Sequence, residues 1–144
     1  MPGVVWKEAC ITSRAQGTFE VQLTPQGPDD QAADATLGRL TIDKRFHGDL
    51  EATSRGEMLT AGTAVEGSAG YVAMELVSGT LHGRTGSFVL QHSATMARGA
   101  PSLTVTVVPD SGTGDLVGLA GSMAIMIADG KHEYDFAYTL AETP

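Results

Sequence analysis

The chain is poor in the residues that announce chemistry or an oxidising environment. Its 144 residues include one cysteine, Cys10, one tryptophan and no asparagine. A single thiol cannot form an intramolecular disulfide, which fits a reducing compartment, and with no histidine near it in sequence Cys10 reads as a bystander rather than a nucleophile. Lys and Arg number 9 against 17 Asp and Glu, a net charge of −8. The basic residues are scattered singly, so no phosphate-tracking surface is expected and nucleic acid is not an expected partner. The charge is read as a solubility device. No apolar run approaches the ~18 residues that a membrane helix requires, and residues 1–16 lack a basic stretch leading into an apolar one. A membrane partner and a cleaved signal peptide are therefore not expected, and the expected location is the cytoplasm.

Also missing is any sustained apolar stripe at i, i+3, i+4 and i+7, the mark of an amphipathic helix. What is present instead is alternation. Extended segments recur at 18–23, 37–46, 57–67, 71–81, 86–96, 102–108, 121–130 and 131–140, each bounded by glycine or proline, and the chain holds 18 glycines. Period-two patterning between turn residues reads as half-buried strands. Asp129-Gly130 supplies the positive φ angles of a type I′ hairpin turn, and the short links at 67–70 and 83–86 leave room only for antiparallel connections. Eight strands in a meander remove both exposed edges by closing. The expected fold is all-β, a closed antiparallel eight-stranded barrel over residues 17–140, with an N-terminal segment at 1–16, a mobile loop at about 25–36 and a tail at 141–144.

A barrel of eight strands has an interior that side chains fill or that holds one small ligand, so candidate chemistry is sought on inward faces. On the fifth segment Phe88, Leu90, His92, Ala94 and Met96 share the apolar parity and Gln91 lies on the other. His92 is the first candidate for an acid or base, although a structural histidine bonded to a neighbour is the commoner outcome. The stretch FHGDLEATSRGEM puts His47, Asp49 and Glu51 on one polar parity, which plain alternation sends to solvent. Gly48 opens an alternative: a bulge there would swap the facing and turn Asp49 and Glu51 inward as acid or base groups. Glu75 interrupts a segment that is apolar on both faces, so it pairs with a cation, enters an interface or lines a cavity. Tyr71 and Gln91 are candidates to orient a ligand, and Phe88, Leu90, Met96 and Tyr134 to line its site.

Other apparent motifs carry no chemistry. The DSG at 110–112 has no second matching loop for an aspartic dyad, and GTGDLVG misses the dinucleotide fingerprint and precedes no helix. The run 109–121 reads as a Gly-rich loop pinned by Leu116, Val117 and Leu119, or covering a barrel mouth. Histidines at 47, 82, 92 and 132 show no ligand spacing, so no metal site and no cofactor are expected.

The blocks FHGDLEATSRGEML, GSAGYVAMELVSGTLHGRTGSFVLQHSATM, GAPSLTVTVVPDSGTGDLVGLAGSM and IADGKHEYDFAYTL resemble the bacterial family known as the DUF3224 domain of unknown function, from about Gly17 to Leu140. The resemblance implies a small β-barrel similar to that of plant allene oxide cyclases, and no established reaction. Those cyclases hold a lipophilic epoxide, but no active-site motif of theirs aligns here, so no residue role is carried over. Two functions stand side by side. In one the lumen binds a small, largely apolar molecule, with a cofactor-independent isomerase, cyclase or lyase activity through His92, Glu51, Asp49 or Glu75. In the other the barrel is filled and Met58, Val72, Met74 and Leu76 form an outer apolar face that makes a homo-oligomer.

Overall fold

A computed structural model describes residues 11–26 and 36–140. Cys10, residues 27–35 of the expected loop and the tail 141–144 lie outside them. Eight strands follow in chain order: β1 (Ser13–Pro25), β2 (Leu37–Gly48), β3 (Leu50–Gly62), β4 (Ala69–Leu81), β5 (Arg84–Ala97), β6 (Ala100–Val107), β7 (Ala120–Ala128) and β8 (Lys131–Thr139). Each pairs antiparallel with the next, and β8 returns to β1, closing the barrel. Among the described residues the helical content is one 3-10 turn, Gly114–Leu116, and no helix is long and apolar enough to cross a membrane.

Alternation sets the facing. Along β4, Ala73, Glu75 and Val77 are buried while Val72, Met74 and Leu76 are exposed. The Asp129-Gly130 turn between β7 and β8 has φ of 52° and 77°, the pair of positive values that a type I′ hairpin needs.

Two expectations are corrected. The stretch FHGDLEATSRGEM is not one strand. Gly48 has φ +110°, a conformation costly for residues with a Cβ, and with Asp49 it forms the turn between β2 and β3. Alternation alone misses this, because the turn is tight enough to leave polar and apolar residues alternating through it. The third strand accordingly begins at Leu50 and ends at Gly62, well before residue 67. Counting from Leu50 puts Met58 on the inner parity with Ala52 and Ser54, opposite Ala73, so Met58 does not belong to the outer face.

The core gathers at one end of the barrel. There Phe46 meets Tyr134 edge-on at 5.6 Å, and Phe136 stacks on Phe88 and Tyr138 at 5.8 and 5.3 Å. The loop between β6 and β7 closes this end as the sequence suggested, with Leu116 and Leu119 buried, whereas Val117 stays exposed. β6 pairs with only the C-terminal part of β5, and the loop replaces it beyond: Thr113 N–H donates to the Ser87 carbonyl at 2.8 Å, and Ser87 N–H donates to Thr113 Oγ1 at 3.0 Å.

Candidate functional site

The barrel axis carries a buried polar cluster between the packed end and the other mouth. Glu75 on β4 has no exposed surface. An unpaired carboxylate there would cost several kcal/mol or take up a proton, and three neighbours prevent this. Lys44 Nζ on β2 lies 3.1 Å from Oε1, Ser54 Oγ on β3 donates to Oε2 at 2.5 Å, and His92 Nε2 on β5 lies 2.7 Å from Oε1. Burial pushes the Glu75 carboxyl up, but the His92 hydrogen bond, the Lys44 charge and the Ser54 hydroxyl outweigh it and bring it down to about 2. An ionised carboxylate only accepts. Nε2 of His92 therefore carries a proton, and in the neutral ring the lone pair is on Nδ1. Lys44 is steadied on its other side by the rings of Phe19 and Phe46, 4.8 and 5.6 Å from Nζ, a favourable cation–π arrangement.

Above the cluster the barrel opens. A cavity of about 930 Å³ occupies the mouth formed by the ends of β1 to β7, with Leu40, Tyr71, Ala94, Met96, Leu103 and Ile127 on its wall. Arg39 is the single charged residue among the described residues lining it. His92 does not line the cavity. It lies one inward position below Ala94, and its ring centroid is 6.4 Å from that of Tyr71, so Tyr71 stands between the open space and the carboxylate–imidazole pair. Burial, and then the charge of Glu75, push the Tyr71 phenol up, so it stays protonated and able to donate.

The sequence candidates separate accordingly. Glu75 and His92 come together, with Tyr71 above them and Met96 on the cavity wall. Phe88 and Leu90 face inward but lie in the packed core, away from the mouth. Gln91 is exposed on the outer face, as the opposite parity to His92 requires, and cannot orient a ligand in the lumen. Asp49 and Glu51 sit at the packed end, exposed, and serve the backbone: Asp49 Oδ2 accepts Gln16 N–H at 2.9 Å and Glu51 Oε2 accepts Gly48 N–H at 2.8 Å. With no bulge within a strand at Gly48, neither turns inward. Tyr134 is also remote from the cavity; its hydroxyl accepts Leu50 N–H and donates to the His47 carbonyl, both at 2.9 Å. Gly17 and Gly48 leave room for that hydroxyl, since a Cβ on Gly17 would stand 2.7 Å from it.

Lys44 and Ser54 were not singled out by sequence. The signal was present: Lys44 shares its parity with Ile42 and Phe46, and Ser54 with Leu50 and Ala52. A polar residue on an apolar strand face is as informative as Glu75 was. Among the described residues no group of three or more His, Cys, Asp or Glu is placed to hold a metal ion.

Comparison with known proteins agrees with the architecture. A crystal structure of a protein of unknown function of the DUF3224 family from Shewanella oneidensis MR-1 is 49% identical, with 92% of this chain and 100% of that chain covered and a TM-score of 0.84. No curated protein matches the chain. Residues 15–138 match the family described as protein of unknown function, DUF3224, and the chain belongs to that family.

Proposed function

We propose that the open mouth binds a small, largely apolar molecule and that the Tyr71 phenol at its floor, above the buried His92–Glu75 pair, supplies acid–base chemistry. The observation that carries this reading is the cavity itself. Its volume lies within the roughly 300–1,000 Å³ usual for small-molecule sites, one of the described residues lining it is charged, and it ends on a phenol above a buried imidazole–carboxylate pair. Perturbed titratable groups beside an apolar cavity favour function over mere packing. The reactions within reach are proton transfer, isomerisation or cyclisation without a cofactor. The negative charge and single thiol support a cytoplasmic setting for them. Mass spectrometry of the purified protein under native and then denaturing conditions tests the reading: a small lipophilic compound lost between the two supports it, and a lumen that takes up no apolar compound at millimolar concentration overturns it.

A second reading, a homo-oligomer, is favoured by one observation. Val72, Met74 and Leu76 on the outer face of β4 are each 51% exposed, and Leu59, opposite Val72 on β3, is 56% exposed. Contiguous exposed apolar residues mark association surfaces. A monomer by light scattering at micromolar concentration would remove this reading without touching the first.

A further inference from the structure

The chain has three tyrosines, and their hydroxyls are used differently. Tyr134 bonds the β2–β3 turn, and the Tyr138 hydroxyl meets His82 Nδ1 at 2.5 Å. Tyr71 bonds nothing among the described residues, although no buried side-chain nitrogen or oxygen among them lacks a partner. Its hydroxyl is therefore the one that faces open space, and that space is the cavity it lines. Its cross-strand neighbours are small: Ala94 lies opposite on β5 and Thr60 opposite on β3. A ligand atom can thus reach the phenol.

We infer that the ligand is a neutral, apolar carbonyl compound seated with its oxygen on the Tyr71 hydroxyl. The inference rests on the lumen-binding reading and adds the chemical class. Three properties of the floor select it. The phenol is held protonated and donates, so it calls for an acceptor. The charged residues of the inner face, Lys44 and Glu75, already neutralise each other, and Arg39 at the rim is exposed, on the outward parity of β2, so a carboxylate at the floor would be a buried anion close to Glu75, which is strongly disfavoured. An alcohol would bring an O–H of its own that needs an acceptor beside the phenol, where the cross-strand neighbours are Ala94, which offers none, and Thr60. A carbonyl oxygen accepts and requires nothing further.

The test uses acetophenone, its near-isostere α-methylstyrene, in which CH₂ replaces the oxygen, and benzoate. Binding to the wild type and to Tyr71→Phe is measured by NMR titration, and the carbonyl stretch of ¹³C-labelled bound acetophenone by infrared difference spectroscopy. Removing one neutral hydrogen bond should weaken acetophenone about fivefold in Tyr71→Phe and leave α-methylstyrene unchanged. The carbonyl band should move to lower wavenumber on the wild type and return in the variant, a signature that a structural role for the phenol would not produce. Equal binding of both neutral probes to both proteins, with no band shift, overturns the inference and leaves lumen binding intact. Benzoate binding more tightly than acetophenone also overturns it. Binding of neither neutral probe to the wild type overturns the lumen reading and the inference together. The infrared measurement on the wild type decides the matter even if the variant fails to fold.

Discussion

The two ends of the barrel are built from the same eight strands and differ in almost everything else. At one end large rings fill the lumen, the β6–β7 loop lays Leu116 and Leu119 over it, and the turns are tied by Tyr134, Asp49 and Glu51. At the other end the β4–β5 pair puts Tyr71 against Ala94 and Gly70 against Thr95, and a cavity remains. The β4–β5 ladder is continuous through both regions, so the contrast comes from side-chain volume and loops. One end holds the fold together and the other leaves room for the proposed ligand. The Lys44–Glu75–His92–Ser54 cluster sits at the boundary, where packing ceases to exclude polar groups.

The sharpest way to break this comparison is to cut one large apolar side chain back to alanine at each end. Phe136→Ala removes a ring with no exposed surface and should cost about 3–5 kcal/mol in urea unfolding. Leu103→Ala, at the mouth and 39% exposed, should cost under about 1 kcal/mol, since much of its surface is already in water. Comparable losses would mean that the mouth is core and not a site.

Next in size is the boundary cluster. Lys44→Met leaves Glu75 buried without its cation and should cost about 3–5 kcal/mol. Adding Glu75→Leu should restore part of this, because the orphaned charge goes with it. A double variant no more stable than Lys44→Met would show that the ion pair is not what Lys44 contributes.

The cluster also makes stability depend on acid. The Glu75 carboxyl is lowered from 4.5 to about 2 in the folded state, so its contribution is complete above about pH 4.5 and disappears as the pH falls towards 2. The amount at stake is on the order of 3 kcal/mol. Stability measured by urea unfolding between pH 5 and 2.5 should therefore decline in the wild type. The decline should flatten in Glu75→Gln, and an unchanged slope would assign it to other carboxylates.

The strand pattern was the more legible in sequence, at both ends of the barrel. Alternation, Asp129-Gly130 and glycine spacing specify eight antiparallel strands, because strand facing and hairpin turns are local properties. Closure follows from the number of strands, and the parity of Phe88, Leu90 and His92 was readable directly. The β2–β3 turn was not, because Gly48 and Asp49 continue the alternation that a strand would show. The open end was harder still. That His92 meets Glu75 and that Tyr71 overlies them depends on the relative register of β2, β3, β4 and β5, which no single segment encodes. Whether a lumen is full depends on the summed volume of side chains at one height, contributed by eight separate strands.

The smallest expected effect separates the ends most cleanly, because it makes the same chemical change in both. Tyr134→Phe deletes a hydroxyl bonded to Leu50 N–H and the His47 carbonyl, and leaving buried backbone groups unpaired should cost about 1–3 kcal/mol. Tyr71→Phe deletes a hydroxyl that no described residue bonds, and its cost in urea unfolding should be within about 0.5 kcal/mol of zero. The same oxygen is thus structural at one height of the barrel and expendable to the fold at another. If Tyr71→Phe proved as destabilising as Tyr134→Phe, the mouth phenol would be part of the scaffold, and the division between a holding end and a binding end would fail at the residue on which the proposed ligand contact depends.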